Sequence, residues 1–196
     1  MIISNSKKFI FIKTRKCGGT SIQNTLKKIC DSSDFVDLPE FATLEFVKKR
    51  KRININDYFT FGFTRNPFSV TLSRYLYDCR LKRVTQEPTK ENFNVWAKER
   101  YFTKKTIFNY TTDGTRLALF DDSGNQIVDF IGKLENIEQD FEIIKEKLNL
   151  DKDLKMTNDN RSNFNNIKYR DWVDDETKNL IEEHFKFELD FFNYEF

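Results

Sequence analysis

The sequence predicts an α/β domain in which a parallel sheet is covered by helices. Short apolar runs at 8–13, 58–64 and 127–134 have the length and composition of strands, and each is followed by apolar residues at helical spacing. The first two runs also give way to helix through glycines or a proline. With 196 residues, 38% apolar and 15% aromatic, the chain can bury one substantial core, so a single domain over 1–196 is expected.

Residues 8–13 (KFIFIK) read as a short buried strand that stops before Gly18 and Gly19, after which Ile22, Leu26 and Ile29 recur at helical spacing. This is a strand, a glycine loop and a helix, the arrangement that turns helix-start amides toward an anion. Residues 58–64 (YFTFGFT) read as a second strand running into Arg65-Asn66-Pro67, with proline suited to a first helical turn. Phe68, Leu72, Tyr75, Leu76 and Cys79 then mark an amphipathic helix. Residues 127–134 (IVDFIGKL) read as a third strand, and Asn136 with Gln139 resembles a cap for a helix bearing Ile137, Phe141, Ile144 and Leu148.

The stretch 80–125 is irregular and polar and is expected to form short helices and loops. Residues 151–168 are rich in Asn and Asp and loop-like, Asp174 or Asp175 starts a last helix through Phe185, and Phe191, Phe192, Tyr194 and Phe196 are expected to pack in the core.

Composition removes several function classes. Thirty-three Lys and Arg against 31 Asp and Glu leave a formal charge of +2, so no global basic field for nucleic acid or anionic membrane is expected. Cys17, Cys30 and Cys79 are odd in number and widely spaced, which suits a reducing compartment and suggests neither a disulfide framework nor a zinc site. His184 is the only histidine, so no metal is expected. The apolar run 9–12 is too short for a membrane span or a signal peptide, and a cytoplasmic location is the expectation.

The chemistry concentrates in two places. In the loop KCGGTS, Lys16 precedes both glycines, unlike a Walker A sequence, and sets an ammonium at the mouth of a loop. There Gly18, Gly19, Thr20 and Ser21 offer amides and hydroxyls to a phosphate. A plain glycine turn with a solvated lysine remains an equal reading of this segment alone. Arg65 stands at a strand end, where open α/β sheets bind ligands, and Ser73 falls beside the apolar stripe of the following helix. An Arg fork with a Ser hydroxyl suits a terminal phosphate. In isolation the pair reads better as an Arg capping a helix through Asp78 or Glu135, with Ser73 merely exposed.

Together these segments resemble the sulfotransferases that use 3′-phosphoadenosine 5′-phosphosulfate (PAPS), most closely their bacterial and carbohydrate-type branch. FIKTRKCGGTSI resembles that family's 5′-phosphosulfate loop, FTRNPFSVTLSRY its 3′-phosphate segment, VDFIGKLENIEQDF a third family stretch and FELDFFNYEF its closing sequence. The resemblance implies a three-layer α/β/α fold with a central parallel sheet and P-loop NTPase-like topology. It implies that Lys16 contacts the bridging oxygen of the phosphosulfate, that Cys17, Gly18, Gly19, Thr20 and Ser21 form the 5′-phosphate loop, and that Arg65 and Ser73 hold the 3′-phosphate. Residues 158–162 resemble a later loop near the nucleotide, which makes Arg161 a further candidate. Cys17 stands where the family more often has Thr, and Trp172-Val173 replaces a commoner aromatic pair.

The implied reaction is transfer of a sulfuryl group from PAPS to a hydroxyl, with carbohydrate as the preferred acceptor and 3′-phosphoadenosine 5′-phosphate as product. No metal is implied. A general base is required, and Glu40 is placed ahead of Glu45, while His184 reads as structural or surface. Either Glu could instead be a first-turn helix carboxylate. The basic run 48–52 (KKRKR) reads as a solvated helix end; were the acceptor an acidic sugar, this run with Arg80, Lys82 and Arg83 would contact it. On architecture alone, a small ATP-dependent kinase and a non-catalytic nucleotide- or glycan-binding domain stay open.

Overall fold

A computed structural model describes residues 1–30, 35–37, 44, 47, 53–103, 115–157 and 167–196. In chain order its strands are β1 (Ile2–Ser4), β2 (Phe9–Ile12), β3 (Phe35–Asp37), β4 (Phe59–Thr64) and β5 (Phe130–Lys133). Its α-helices are α1 (Gly19–Lys27), α2 (Pro67–Arg80), α3 (Lys90–Trp96), α4 (Arg116–Leu119), α5 (Ile137–Lys147), α6 (Asp175–His184) and α7 (Lys186–Phe192). The chain divides into two compact units, one of residues 1–64 and 115–161 and one of residues 65–114 and 162–196.

The first unit holds the sheet, in the order β3-β1-β2-β4-β5. β2 pairs with β4 and β4 with β5 in parallel, but β1 runs antiparallel to both β2 and β3. The sheet is therefore mixed: it is parallel across β2, β4 and β5, as expected of the central sheet, and antiparallel where β1 and β3 join it. The cause is local: only a tight turn separates Ser4 from Phe9, and a turn that short can join strands only in antiparallel fashion. Lys8 enters the left-handed region there, with φ 53°, and the Lys7 amide donates to Ser4 Oγ at 3.1 Å.

All four residues of β2 are buried, as its continuous apolar run requires. The rings of Phe9 and Phe11 lie 6.0 and 5.4 Å from that of Phe61 in the neighbouring strand. At Gly132 of β5 a Cβ would stand 2.5 Å from Cε1 of Phe63, so only glycine admits that ring. The expected strand 127–134 shortens to Phe130–Lys133 because its first residues are used otherwise. The Ile127 amide donates to the Leu119 carbonyl at 2.9 Å, and Asp129 Oδ2 accepts both the amide and the hydroxyl of Thr60, each at 2.7 Å.

α5 buries Phe141 and Ile144 and packs against β5. Asn136 does stand at its N-cap, yet its side chain makes no capping bond, contrary to expectation. Asp140 in the first turn instead accepts the Lys133 amide. The carboxylate thus ties the helix start to the strand end.

The second unit is helical. Phe68, Leu72 and Tyr75 of α2 share a core with Phe93 and Trp96 of α3 and Ile181 of α6. A π-helical turn, Ala97–Tyr101, extends α3, and Tyr101 packs its ring 5.0 Å from that of Trp96. α6 begins where expected, capped by Asp174, whose Oδ1 accepts the Thr177 amide at 2.7 Å. The terminal aromatic segment is partly helical as α7. Phe192 is buried but Phe191 is 47% exposed, so the expected core packing holds for only part of the cluster.

Candidate functional site

The loop 16–21 sits in the first unit between β2 and α1. The Thr14 hydroxyl donates to the Phe63 carbonyl, holding the chain against β4 as it leaves β2. Residues 15–18 then form a turn in which Lys16 (φ 60°) and Gly18 (φ 73°) are both left-handed. For Gly18 this costs little, and its missing Cβ is also required, since that atom would stand 2.6 Å from Cδ1 of Leu134. For Lys16 the same torsion is costly by roughly 1–2 kcal/mol, a strain of the kind that collects at ligand sites.

α1 starts at Gly19, and the Ile22 amide reaches back to the Gly18 carbonyl at 3.3 Å. The amides of Gly19, Thr20 and Ser21 precede the first intrahelical bond, and none has a partner among the described residues. Three N–H groups and the positive end of the helix dipole are thereby left to an anion. Cys17 turns inward: it is 1% exposed and its thiol donates to the Arg15 carbonyl at 3.1 Å, so its offer to a ligand is its main chain.

Thr157 docks on the same helix. Its amide donates to Thr25 Oγ1 at 2.8 Å and its hydroxyl to the Ser21 carbonyl at 3.0 Å, while the Thr25 hydroxyl donates to that carbonyl at 2.9 Å. The chain is therefore pinned beside the first turn of α1 at residue 157. Arg161, with the rest of 158–162, lies outside the described residues, as do Glu40, Glu45 and the basic run 48–52.

Arg65 and Ser73 belong to the second unit. Arg65 directly follows the last residue of β4, and Asn66 and Pro67 open α2 as the sequence suggests, with Asn66 Oδ1 accepting the Phe68 amide at 3.0 Å. Arg65, Ser69, Ser73 and Tyr77 are partly exposed at four-residue intervals, while the positions between them are buried. Ser69, Ser73 and Tyr77 lie on one line along α2, with Arg65 preceding its N-cap, and the Ser73 hydroxyl has no hydrogen-bond partner among the described residues. Asp78, one carboxylate considered for Arg65, is fully buried and bonded to Arg74 at 3.2 Å and Arg83 at 3.3 Å. His184 is exposed, with its ring against Phe102 (5.2 Å) and Phe185 (4.7 Å).

Sequence reasoning missed the strained Lys16, the Thr157 anchor and the grip of Asn66 on the C-terminal segment. Of these, only Asn66 carried a local signal, as an N-cap residue before proline.

A left-handed lysine before a glycine turn, followed by helix-start amides without partners among the described residues, is an arrangement that can accept an anionic group in an α/β protein. The comparisons make the class specific: the model of the sulfotransferase family matches residues 1–195, and the chain belongs to that family. It is accordingly a transferase. A protein from Archaeoglobus fulgidus, described as uncharacterized, is 34% identical over 100 residues, which span 50% of this chain and 72% of that protein. No solved structure matches the chain. Among the described residues, no helix is long and apolar enough to cross a membrane.

Proposed function

We propose that this sulfotransferase uses PAPS as donor and transfers its sulfuryl group to a hydroxyl, preferentially of a carbohydrate. The observation that carries the reading is the helix start at Gly19–Ser21 with three unpartnered amides, preceded by Lys16 in a left-handed conformation. These groups suit a 5′-phosphosulfate: amides for the phosphate oxygens, an ammonium for the oxygen that bridges phosphorus and sulfur. Arg65 and Ser73 are assigned to the 3′-phosphate, and Arg161 to a further phosphate contact. The finer architecture, three layers with P-loop-like topology, belongs to the same proposal, as does a cytoplasmic location.

The chemistry follows from charge. The acceptor oxygen attacks sulfur in line as the bond from sulfur to the bridging oxygen breaks, and that electron pair stays on the leaving phosphate. Lys16 stabilises the charge growing there. The acceptor's proton passes to a carboxylate, for which Glu40 is our first candidate and Glu45 the second.

The donor assignment is tested by thermal stabilisation, because a ligand stabilises a fold in proportion to its preferential binding. 3′-Phosphoadenosine 5′-phosphate should raise Tm more than ATP or AMP at equal concentration. Equal shifts with all three would sink the assignment.

A further inference from the structure

Asn66 is 7% exposed and uses both ends of its amide. While Oδ1 caps α2, Nδ2 donates to the Glu195 carbonyl at 3.0 Å and lies 3.5 Å from the Tyr169 hydroxyl. The bend between Arg65 and α2 is thus bonded to the main chain of the C-terminal segment. A bond to a carbonyl reads no side chain at 195, so its geometry depends on whatever seats the neighbouring residue.

Phe196 supplies that seat. Its ring meets Phe68 edge-on at 4.9 Å and Tyr169 at 5.9 Å, and the Lys178 ammonium stands 4.8 Å over its face. Arg170 closes the arrangement, its Nη2 donating to the main-chain oxygen of Phe196 at 2.6 Å. Phe68 and Tyr169 also stack on each other at 5.8 Å, which links the seat to the first turn of α2.

We propose that Phe196 is a positioning residue for 3′-phosphate recognition, acting through the Glu195 carbonyl and Asn66 on the bend that presents Arg65 and on the helix that carries Ser73. The inference rests on the 3′-phosphate reading given above. A guanidinium recognises phosphate by direction as well as charge, so a loosened bend weakens that one contact while sparing those made by the loop 16–21.

The test compares the affinities of 3′-phosphoadenosine 5′-phosphate and AMP, which differ in the 3′-phosphate alone, in Phe196→Ala and in Arg170→Gln. Arg170 is exposed, so its substitution leaves folding intact and keeps the test decisive if Phe196→Ala does not fold. Phe196→Ala should weaken the bisphosphate by about tenfold and AMP by less than about twofold; Arg170→Gln should act in the same direction by about threefold. Parallel weakening of both ligands, or no change in either, overturns the proposal. A wild-type protein that does not prefer the bisphosphate overturns the 3′-phosphate reading itself, and this inference with it.

Discussion

Thr14 and Phe63 are joined by a buried hydrogen bond from the threonine hydroxyl to the phenylalanine carbonyl, which ties the exit of β2 to the end of β4. One bond thus steadies the chain just before Lys16 and just before Arg65. Thr14→Val keeps the shape and removes the donor, leaving a buried carbonyl short of a partner. A loss of about 1–2 kcal/mol in urea unfolding is expected. An unchanged midpoint would mean that the bond contributes nothing.

Lys16→Ala should separate binding from chemistry. The amides of Gly19, Thr20 and Ser21 remain, so nucleotide binding is reduced but retained. On the proposed mechanism the leaving oxygen loses its cation, and kcat should fall by about a hundredfold or more. Undiminished turnover of PAPS would remove Lys16 from the mechanism.

Gly18→Ala meets two obstacles, the left-handed torsion at 73° and the Leu134 methyl at 2.6 Å from the new Cβ. The torsion costs about 1–2 kcal/mol and cannot be relieved by neighbours. Leu134→Ala in the same chain should recover only the steric part. Comparison of the two single variants with the double variant in urea measures the division, and full recovery would show that the torsion is unstrained.

Asp174 links pH to the second unit. Burial opposes its ionisation, but the Thr177 amide and the Lys98 ammonium outweigh burial and hold the carboxyl below the usual carboxylate range. The unfolded chain then takes up its proton at higher pH than the folded one. This stabilisation is complete above the unfolded pKa of about 3.9 and is lost as pH falls through the folded value. Asp174→Ala should cost about 1 kcal/mol at neutral pH, from loss of the helix cap, and much less in strong acid. A cost independent of pH would contradict the ionic part.

β2 and β4 were legible because each is a dense run of buried apolar residues bounded by turn residues, and α2 and α5 because their apolar positions repeat at helical spacing. β1 was not, since a strand of three residues, Ile2-Ile3-Ser4, is too short to show a period. α7 was hidden by an excess of aromatic side chains, which masks any polar face. For the candidate site, the glycine loop and the Arg65–Ser73 spacing stood out only once the segments were taken together with the family resemblance. The strain at Lys16 could not be read, because lysine has no preference for the left-handed region, and the Thr25–Thr157 contact joins residues too distant for any local pattern.

The reversed strand β1 also bears on the order in which the molecule assembles. β1 and β2 can pair across their tight turn as soon as both exist, whereas β2 must wait for the chain to reach β4 and must bear the entropy of closing that longer loop. The hairpin is therefore the natural nucleus of the sheet, with the parallel neighbour added afterwards. Pulse-labelled hydrogen exchange during refolding should find the Ile2 and Phe11 amides protected before that of Phe61, and simultaneous protection would rule the sequence of events out. Until β4 arrives, β2 presents an open apolar edge, so the step that completes the sheet is also the one that shields it from aggregation.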